Sequence, residues 1–137
     1  LTGSKIKSVC MNSMGKISSQ DTDNASILLK FENGSNATIN YFSNGSKSYS
    51  KERIEVHHNE SSFIMDNFRN TVGYNTPKFK KLRTKLDKGH QEQFKKYVYN
   101  LRNGLGPLIK FEEIINATKA SFAALESLKE SKWIEIS

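Results

Sequence analysis

Ala25-Ser26-Ile27-Leu28-Leu29-Lys30-Phe31-Glu32-Asn33-Gly34-Ser35-Asn36-Ala37-Thr38-Ile39-Asn40-Tyr41 decides the fold class. Ala25, Ile27, Leu29 and Phe31 alternate with Ser26, Leu28 and Lys30, a period of two that belongs to an extended strand. Asn33-Gly34 predicts a type I′ hairpin turn, because both central positions then need positive φ. Ala37, Ile39 and Tyr41 resume the alternation, and Asn44-Gly45 ends it with a second turn signal. Downstream, Arg53-Ile54-Glu55-Val56-His57 reads as a third strand and His58-Asn59-Glu60-Ser61 as its turn. Ser62-Phe63-Ile64-Met65-Asp66 returns, and Thr71-Val72-Gly73-Tyr74 pairs next. Upstream, residues 6–11 give a further strand. Short strands joined by tight turns make an antiparallel meander.

The period then changes. Phe94, Tyr97, Val98 and Leu101 fall at i, i+3, i+4 and i+7, one face of a helix that begins near Gly89. Asn103-Gly104 supplies its stop and Pro107 reinforces the break. A second helix opens at Phe111 with Glu112 and Glu113 in its first turn, at the positive end of the dipole. Its expected buried stripe is Ile114, Thr118, Ser121, Leu125 and Leu128, while Ala117, Ala120, Ala123 and Ala124 allow a close approach to a neighbour. Trp133-Ile134-Glu135-Ile136 reads as a short final strand. The expectation is one α+β domain over residues 1–137: an open, mostly antiparallel sheet with two helices on one face.

Composition narrows the function. At 137 residues, 36% hydrophobic and 26% charged, the chain is globular rather than disordered. No apolar run reaches the ~20 residues of a membrane span, and residues 1–6 have no signal-peptide pattern. Leu1 stands where a start would put Met, so the natural start is expected upstream. Cys10 is the only cysteine, which fits a reducing cytoplasm. His57 and His58 are neighbours on a strand and point to opposite faces, so they do not share a metal.

No G-x-G-x-x-G, G-x-S-x-G or Walker loop is present. Gly104-Leu105-Gly106 follows a helix and precedes Pro107, the wrong place to hold a pyrophosphate. The net charge is +7, and basic residues crowd positions 78–88. A polyanion-binding patch is one reading; a lysine-guarded edge strand is the preferred one, because aromatic interleaving is thin. Six N-x-[ST] sequons occur, at Asn24, Asn33, Asn36, Asn44, Asn59 and Asn116. Turn-rich composition explains them better than glycosylation of a secreted domain. Tyr49 and Lys51 lie in a loop between strands, with a phenol and ammonium groups suited to hydroxyl-rich or anionic ligands, against the plain reading of a solvated connection. His90 opens the first helix behind Asp87-Lys88-Gly89, either as a ligand contact or as a helix-entry residue with Asp87 as a cap.

The order of these motifs resembles a known family. Asn33-Gly34-Ser35, Lys51-Glu52-Arg53-Ile54-Glu55-Val56, Asp87-Lys88-Gly89-His90 and the run from Phe111-Glu112-Glu113-Ile114 to Thr118-Lys119-Ala120-Ser121-Phe122 and on to Leu128 look like the C-terminal domain of the glucose–fructose oxidoreductase/inositol dehydrogenase/MocA oxidoreductases. The branch it resembles is often fused behind a zinc-alcohol-dehydrogenase-like module. The resemblance covers about residues 4–136. It implies a two-domain enzyme: a Rossmann domain holding NAD or NADP, and a second domain whose sheet packs on a partner subunit in a homodimer. It implies hydride transfer on a sugar, nucleotide sugar or polyol. The family's catalytic lysine motif and its His/Asp helix are missing, and Leu1-Thr2-Gly3 resembles the end of that helix. The resemblance therefore implies a fragment that binds no cofactor and has no catalytic residue of its own, with Tyr49, Lys51 and His90 as substrate-side residues. Neither nucleic acid nor a membrane is an expected partner. The alternative from the residues alone is an autonomous basic module for nucleic acid or another polyanion.

Overall fold

The computed structural model describes residues 1–15 and 22–136. In chain order the elements are β1 (Ile6–Ser13), β2 (Asn24–Phe31), β3 (Asn36–Phe42), β4 (Arg53–His58), β5 (Ser61–Asp66), β6 (Asn70–Tyr74), β7 (Lys81–Arg83), α1 (His90–Arg102), α2 (Phe111–Glu130) and β8 (Ile134–Glu135). The expected α+β class, antiparallel pairing and two helices are all present. The eight strands form two four-stranded sheets, ordered β3-β2-β1-β8 and β4-β5-β6-β7. The chain divides into two compact units accordingly: Leu1–Asn44 with Pro107–Ser137, and Gly45–Gly106.

In the first unit, register puts the alternating apolar residues on one face. Val9 faces Leu29, Met11 faces Ile27, and Leu29 faces Ala37. Val9 and Leu29 are buried against Ala120, Ala123 and Ala124 of α2, with Met11, Ile27, Phe31 and Ile134 packed around them. The buried stripe of α2 is Ala120, Ala123, Ala124, Ser127 and Leu128. This corrects the expected stripe of Ile114, Thr118, Ser121 and Leu125, which are exposed; only Leu128 belongs to both. The physical reason is distance. Alanines let the helix backbone come close to the strands, whereas Ile114 and Leu125 on that face would hold it off.

Two side chains of α2 close the open edge of β1. β8 pairs only with Ser8 and Val9, and the edge would otherwise leave Ile6 and Met11 unpaired. Asn116 Oδ1 accepts the Ile6 N–H at 2.7 Å, and its Nδ2 donates to the Ile6 carbonyl at 3.0 Å. Ser127 Oγ accepts the Met11 N–H at 3.0 Å and donates to the Lys132 carbonyl at 2.5 Å. Asn116 thus spends its amide on the backbone, in keeping with the compositional reading of that sequon.

The β2–β3 turn also differs from expectation. Gly34 alone is left-handed (φ 85), and the Gly34 N–H donates to the Phe31 carbonyl at 3.1 Å. Asn33 has negative φ, its Oδ1 accepting the Ser35 N–H, so a longer loop with one left-handed residue replaces the type I′ turn. The type I′ signature is instead found between β4 and β5, where Asn59 (φ 45) and Glu60 (φ 61) are both positive.

In the second unit, β4 to β7 run as a meander. β7 is the edge strand, which agrees with the preferred reading of the basic segment. One face carries Ile54, Val56, Phe63, Met65 and Leu82, with Phe63 and Phe79 in ring contact at 5.9 Å. The other carries the row Arg53, Asp66, Asn70 and Arg83, one residue per strand. α1 ends as expected: Leu105 N–H donates to the Asn100 carbonyl and Gly104 N–H to the Leu101 carbonyl, a Schellman pair around left-handed Gly104. Its Phe94, Tyr97, Val98 and Leu101 face is exposed, and α1 has no buried residue.

Candidate functional site

Strand direction brings the three sequence candidates to one end of the second sheet. β4 begins, β5 ends, β6 begins and β7 ends at that end. Tyr49 precedes β4 in an exposed loop (71%), its N–H donating to the Ser46 carbonyl at 3.1 Å. Lys51 is exposed immediately before β4. His90, also exposed, is the first residue of α1, which follows β7. Asp87 does not cap the helix: its carboxylate accepts the Gly89 N–H at 2.8 Å, and left-handed Gly89 is the N-cap. β4 and β7 are opposite edges of the sheet, so Tyr49 and Lys51 stand about 14 Å from the β7 side, three strand spacings away. The fold thus gathers the three at one end, without converging them on a single point.

Arg53 belongs to the same end and is absent from the sequence candidates. Its guanidinium makes a tight pair with Glu55, Nη2 to Oε1 at 2.6 Å and Nε to Oε1 at 2.7 Å. The hydrogen bond and charge of Glu55 raise the Arg53 pKa; burial opposes this, and Tyr49 and Asp66 add to it. Position two after Lys51 on a predicted strand was the available signal for Arg53.

Further along the same face, His57 Nδ1 lies 2.8 Å from Ser62 Oγ, and its Nε2 lies 3.7 Å from Glu55 Oε2. The order Ser–His–Glu suggests acyl transfer, but His57 is exposed on an open strand face where backbone N–H groups are taken up by the ladder. Without a donor pair for an oxyanion this is a surface network. Two open grooves mark the unit, one along α1 beside Phe94, Val98 and Arg102, the other beside Gly73, Thr76 and Pro77. Neither is lined by Tyr49, Lys51 or His90. Among the described residues no group of three or more His, Cys, Asp or Glu could hold a metal ion.

Gly104-Leu105-Gly106 does not fit a dinucleotide. It follows the C-terminus of α1, where carbonyls and the negative end of the dipole face a ligand. No helix among the described residues is long and apolar enough to cross a membrane.

No family model and no curated protein matches the sequence. Solved structures do match. A probable dehydrogenase from Thermotoga maritima is 21% identical, with a TM-score of 0.70 over 98% of this chain and 44% of its own. An NAD binding oxidoreductase from Klebsiella pneumoniae is 17% identical, with a TM-score of 0.71 over 97% and 46%. A levoglucosan dehydrogenase in complex with NADH and L-sorbose is 13% identical, with a TM-score of 0.74 over 97% and 45%. The neighbours are oxidoreductases of the glucose–fructose oxidoreductase/inositol dehydrogenase/MocA type. This chain shares their fold. It spans less than half the length of each of the three.

Proposed function

We propose that the chain is the C-terminal, substrate-side domain of an NAD(P)-dependent oxidoreductase acting on a sugar, nucleotide sugar or polyol. The observation that carries this reading is the coverage: 98% of this chain matches 44% of a dehydrogenase. The remaining part of such an enzyme holds NAD or NADP, which exchanges a hydride with a carbinol carbon. The contribution of residues 1–137, acting as one domain, is a wall of donors. Tyr49, Lys51 and His90 hydrogen-bond and orient hydroxyl groups, and the proton-transfer residues lie outside this chain.

The same reading places a homodimer on the face of the first sheet turned away from α2. Leu28 (43% exposed) and Phe42 (47% exposed) project there among Thr38, Asn40 and Lys30. Cytoplasmic residence fits the lone, half-buried Cys10. The test is to sequence the coding DNA upstream of Leu1. A frame continuing into a His/Asp helix and a G-x-G-x-x-G loop is the expected result, and that longer protein oxidises a sugar or polyol with NAD or NADP. A start codon adjoining Leu1 overturns the reading.

A further inference from the structure

Asparagine followed by glycine is chemically labile as well as a turn signal. The amide carbon of the side chain can reach the next backbone nitrogen, and glycine puts no Cβ in the way. Of the asparagines in the chain, Asn33, Asn44 and Asn103 precede glycine. All three are exposed, so access to water does not separate them. Their hydrogen bonds do.

Asn33 is held at each group that would react. Its Oδ1 accepts the Ser35 N–H at 3.0 Å, its Nδ2 donates to the Thr2 carbonyl at 3.1 Å, and the Gly34 N–H donates to the Phe31 carbonyl at 3.1 Å. Asn103, at the C-terminus of α1, is held in the same way. Its Nδ2 donates to the Tyr99 carbonyl at 2.7 Å, and the Gly104 N–H donates to the Leu101 carbonyl at 3.4 Å. Asn44 differs. Its backbone N–H donates to Asn24 Oδ1 at 3.2 Å, which anchors its main chain. Its Nδ2 reaches only the thioether of Met14, a weak acceptor, at 3.8 Å. Among the described residues neither its Oδ1 nor the Gly45 N–H has a hydrogen-bond partner. Residues 41–49 are all exposed, so the Asn44 side chain is free to turn onto the Gly45 nitrogen.

We propose that Asn44-Gly45 is a self-modification site, which the fold leaves open while it locks the other two Asn-Gly pairs. The Gly45 nitrogen attacks Asn44 Cγ. An N–Cγ bond forms, the Cγ–Nδ2 bond breaks, and Nδ2 leaves as ammonia with the proton of the Gly45 N–H. Water then opens the resulting succinimide at one carbonyl or the other. One opening gives aspartate; the other gives isoaspartate, whose main chain runs through the former side-chain carbon. Only water is consumed, and no electrons change hands. A neutral amide becomes a carboxylate, and the isoaspartate product carries an extra methylene in the main chain where the first unit gives way to the second. The loop that starts there carries Tyr49 and Lys51.

The test is ageing of the full chain at mildly alkaline pH, where the attacking nitrogen loses its proton more readily. Peptide mass spectrometry follows the exchange of NH for O at each asparagine, and labelling by an isoaspartyl-directed methyltransferase reads out isoaspartate. Asn44 is expected to react faster than Asn33 or Asn103 by roughly tenfold or more, because those two must first break two or more hydrogen bonds. In urea strong enough to unfold the chain, the three rates are expected to converge. Gly45→Ala puts a methyl group beside the attacking nitrogen and is expected to slow the reaction at Asn44 while leaving Asn33 and Asn103 unchanged. Asn33 or Asn103 keeping pace with Asn44 in the folded chain overturns the proposal. So does a ranking that survives in urea, since the peptide rather than the fold then sets it. Aspartate at position 44 without isoaspartate, or a Gly45→Ala chain that ages as fast as the parent, means direct hydrolysis of the amide and overturns it too.

Discussion

Asn116 of α2 satisfies both backbone groups of Ile6 on β1, accepting from its N–H at 2.7 Å and donating to its carbonyl at 3.0 Å. A primary amide carries its donor and its acceptor on separate atoms, so it can imitate a neighbouring strand in this way. The helix is thereby tied to the sheet at a point 110 residues away in sequence.

Asn116→Leu leaves both Ile6 groups without partners at a half-buried edge. Thermal or urea unfolding is expected to show a loss of about 1–3 kcal/mol. Hydrogen exchange at the Ile6 amide is expected to quicken. Unchanged stability and exchange would show that water replaces the amide at no cost.

Ser127 is 0% exposed and serves the other end of the same edge. Ser127→Ala leaves the Met11 N–H unpaired in the interior and is expected to cost about 1–3 kcal/mol. Ser127→Cys, with a weaker hydrogen-bonding group, is expected to recover only part of this in the same unfolding measurement.

Ala124→Leu tests the alanine stripe. Three added carbon atoms have no space between α2 and Val9, and destabilisation of about 1–3 kcal/mol or more is expected. Leu125→Ala, on the side expected from sequence to be buried but 40% exposed, is expected to cost less than Ala124→Leu. The reverse ranking in denaturant melts contradicts the packing described above.

Gly73 on β6 has no room for a methyl group. A Cβ there meets Thr76 Oγ1 at 2.5 Å, the Phe79 carbonyl oxygen at 2.8 Å and the Phe79 ring at 2.9 Å. Gly73→Ala is expected to push Phe79 off Phe63 and to destabilise the second unit by about 1–3 kcal/mol. Loss of the ring-current shifts of Phe63 in an NMR spectrum is the direct readout.

Glu60→Gly works in the other direction. Glu60 holds a left-handed φ of 61 in the β4–β5 turn, where a residue with a side chain costs about 1 kcal/mol and glycine nothing. A rise in thermal stability of a degree or more is expected, despite the added freedom of the unfolded chain.

Residue types at the candidate site are readable one at a time: a phenol at Tyr49, an ammonium at Lys51, an imidazole at His90. Their common end of the sheet is not, because it depends on three reversals of direction between residues 53 and 83. Arg53 goes unnoticed for the same reason. It looks like an ordinary surface charge until register puts it in the row of Asp66, Asn70 and Arg83.

Periodicity by itself determined the strands, the two helices, their stops and the antiparallel pairing, since these depend on near neighbours in the chain. The resemblance rested instead on the order of the motifs from Asn33-Gly34-Ser35 to the run ending at Leu128, and the shared fold agrees with it. Tertiary structure alone decided the division into two sheets, the face that α2 buries, and which loops take the left-handed turns. Those outcomes depend on how closely backbones approach and which edge groups need partners. Alternation says that a strand has an apolar side; it does not say that Ala120, Ala123 and Ala124, rather than the larger Ile114 and Leu125, meet it. Only distance between packed elements decides that.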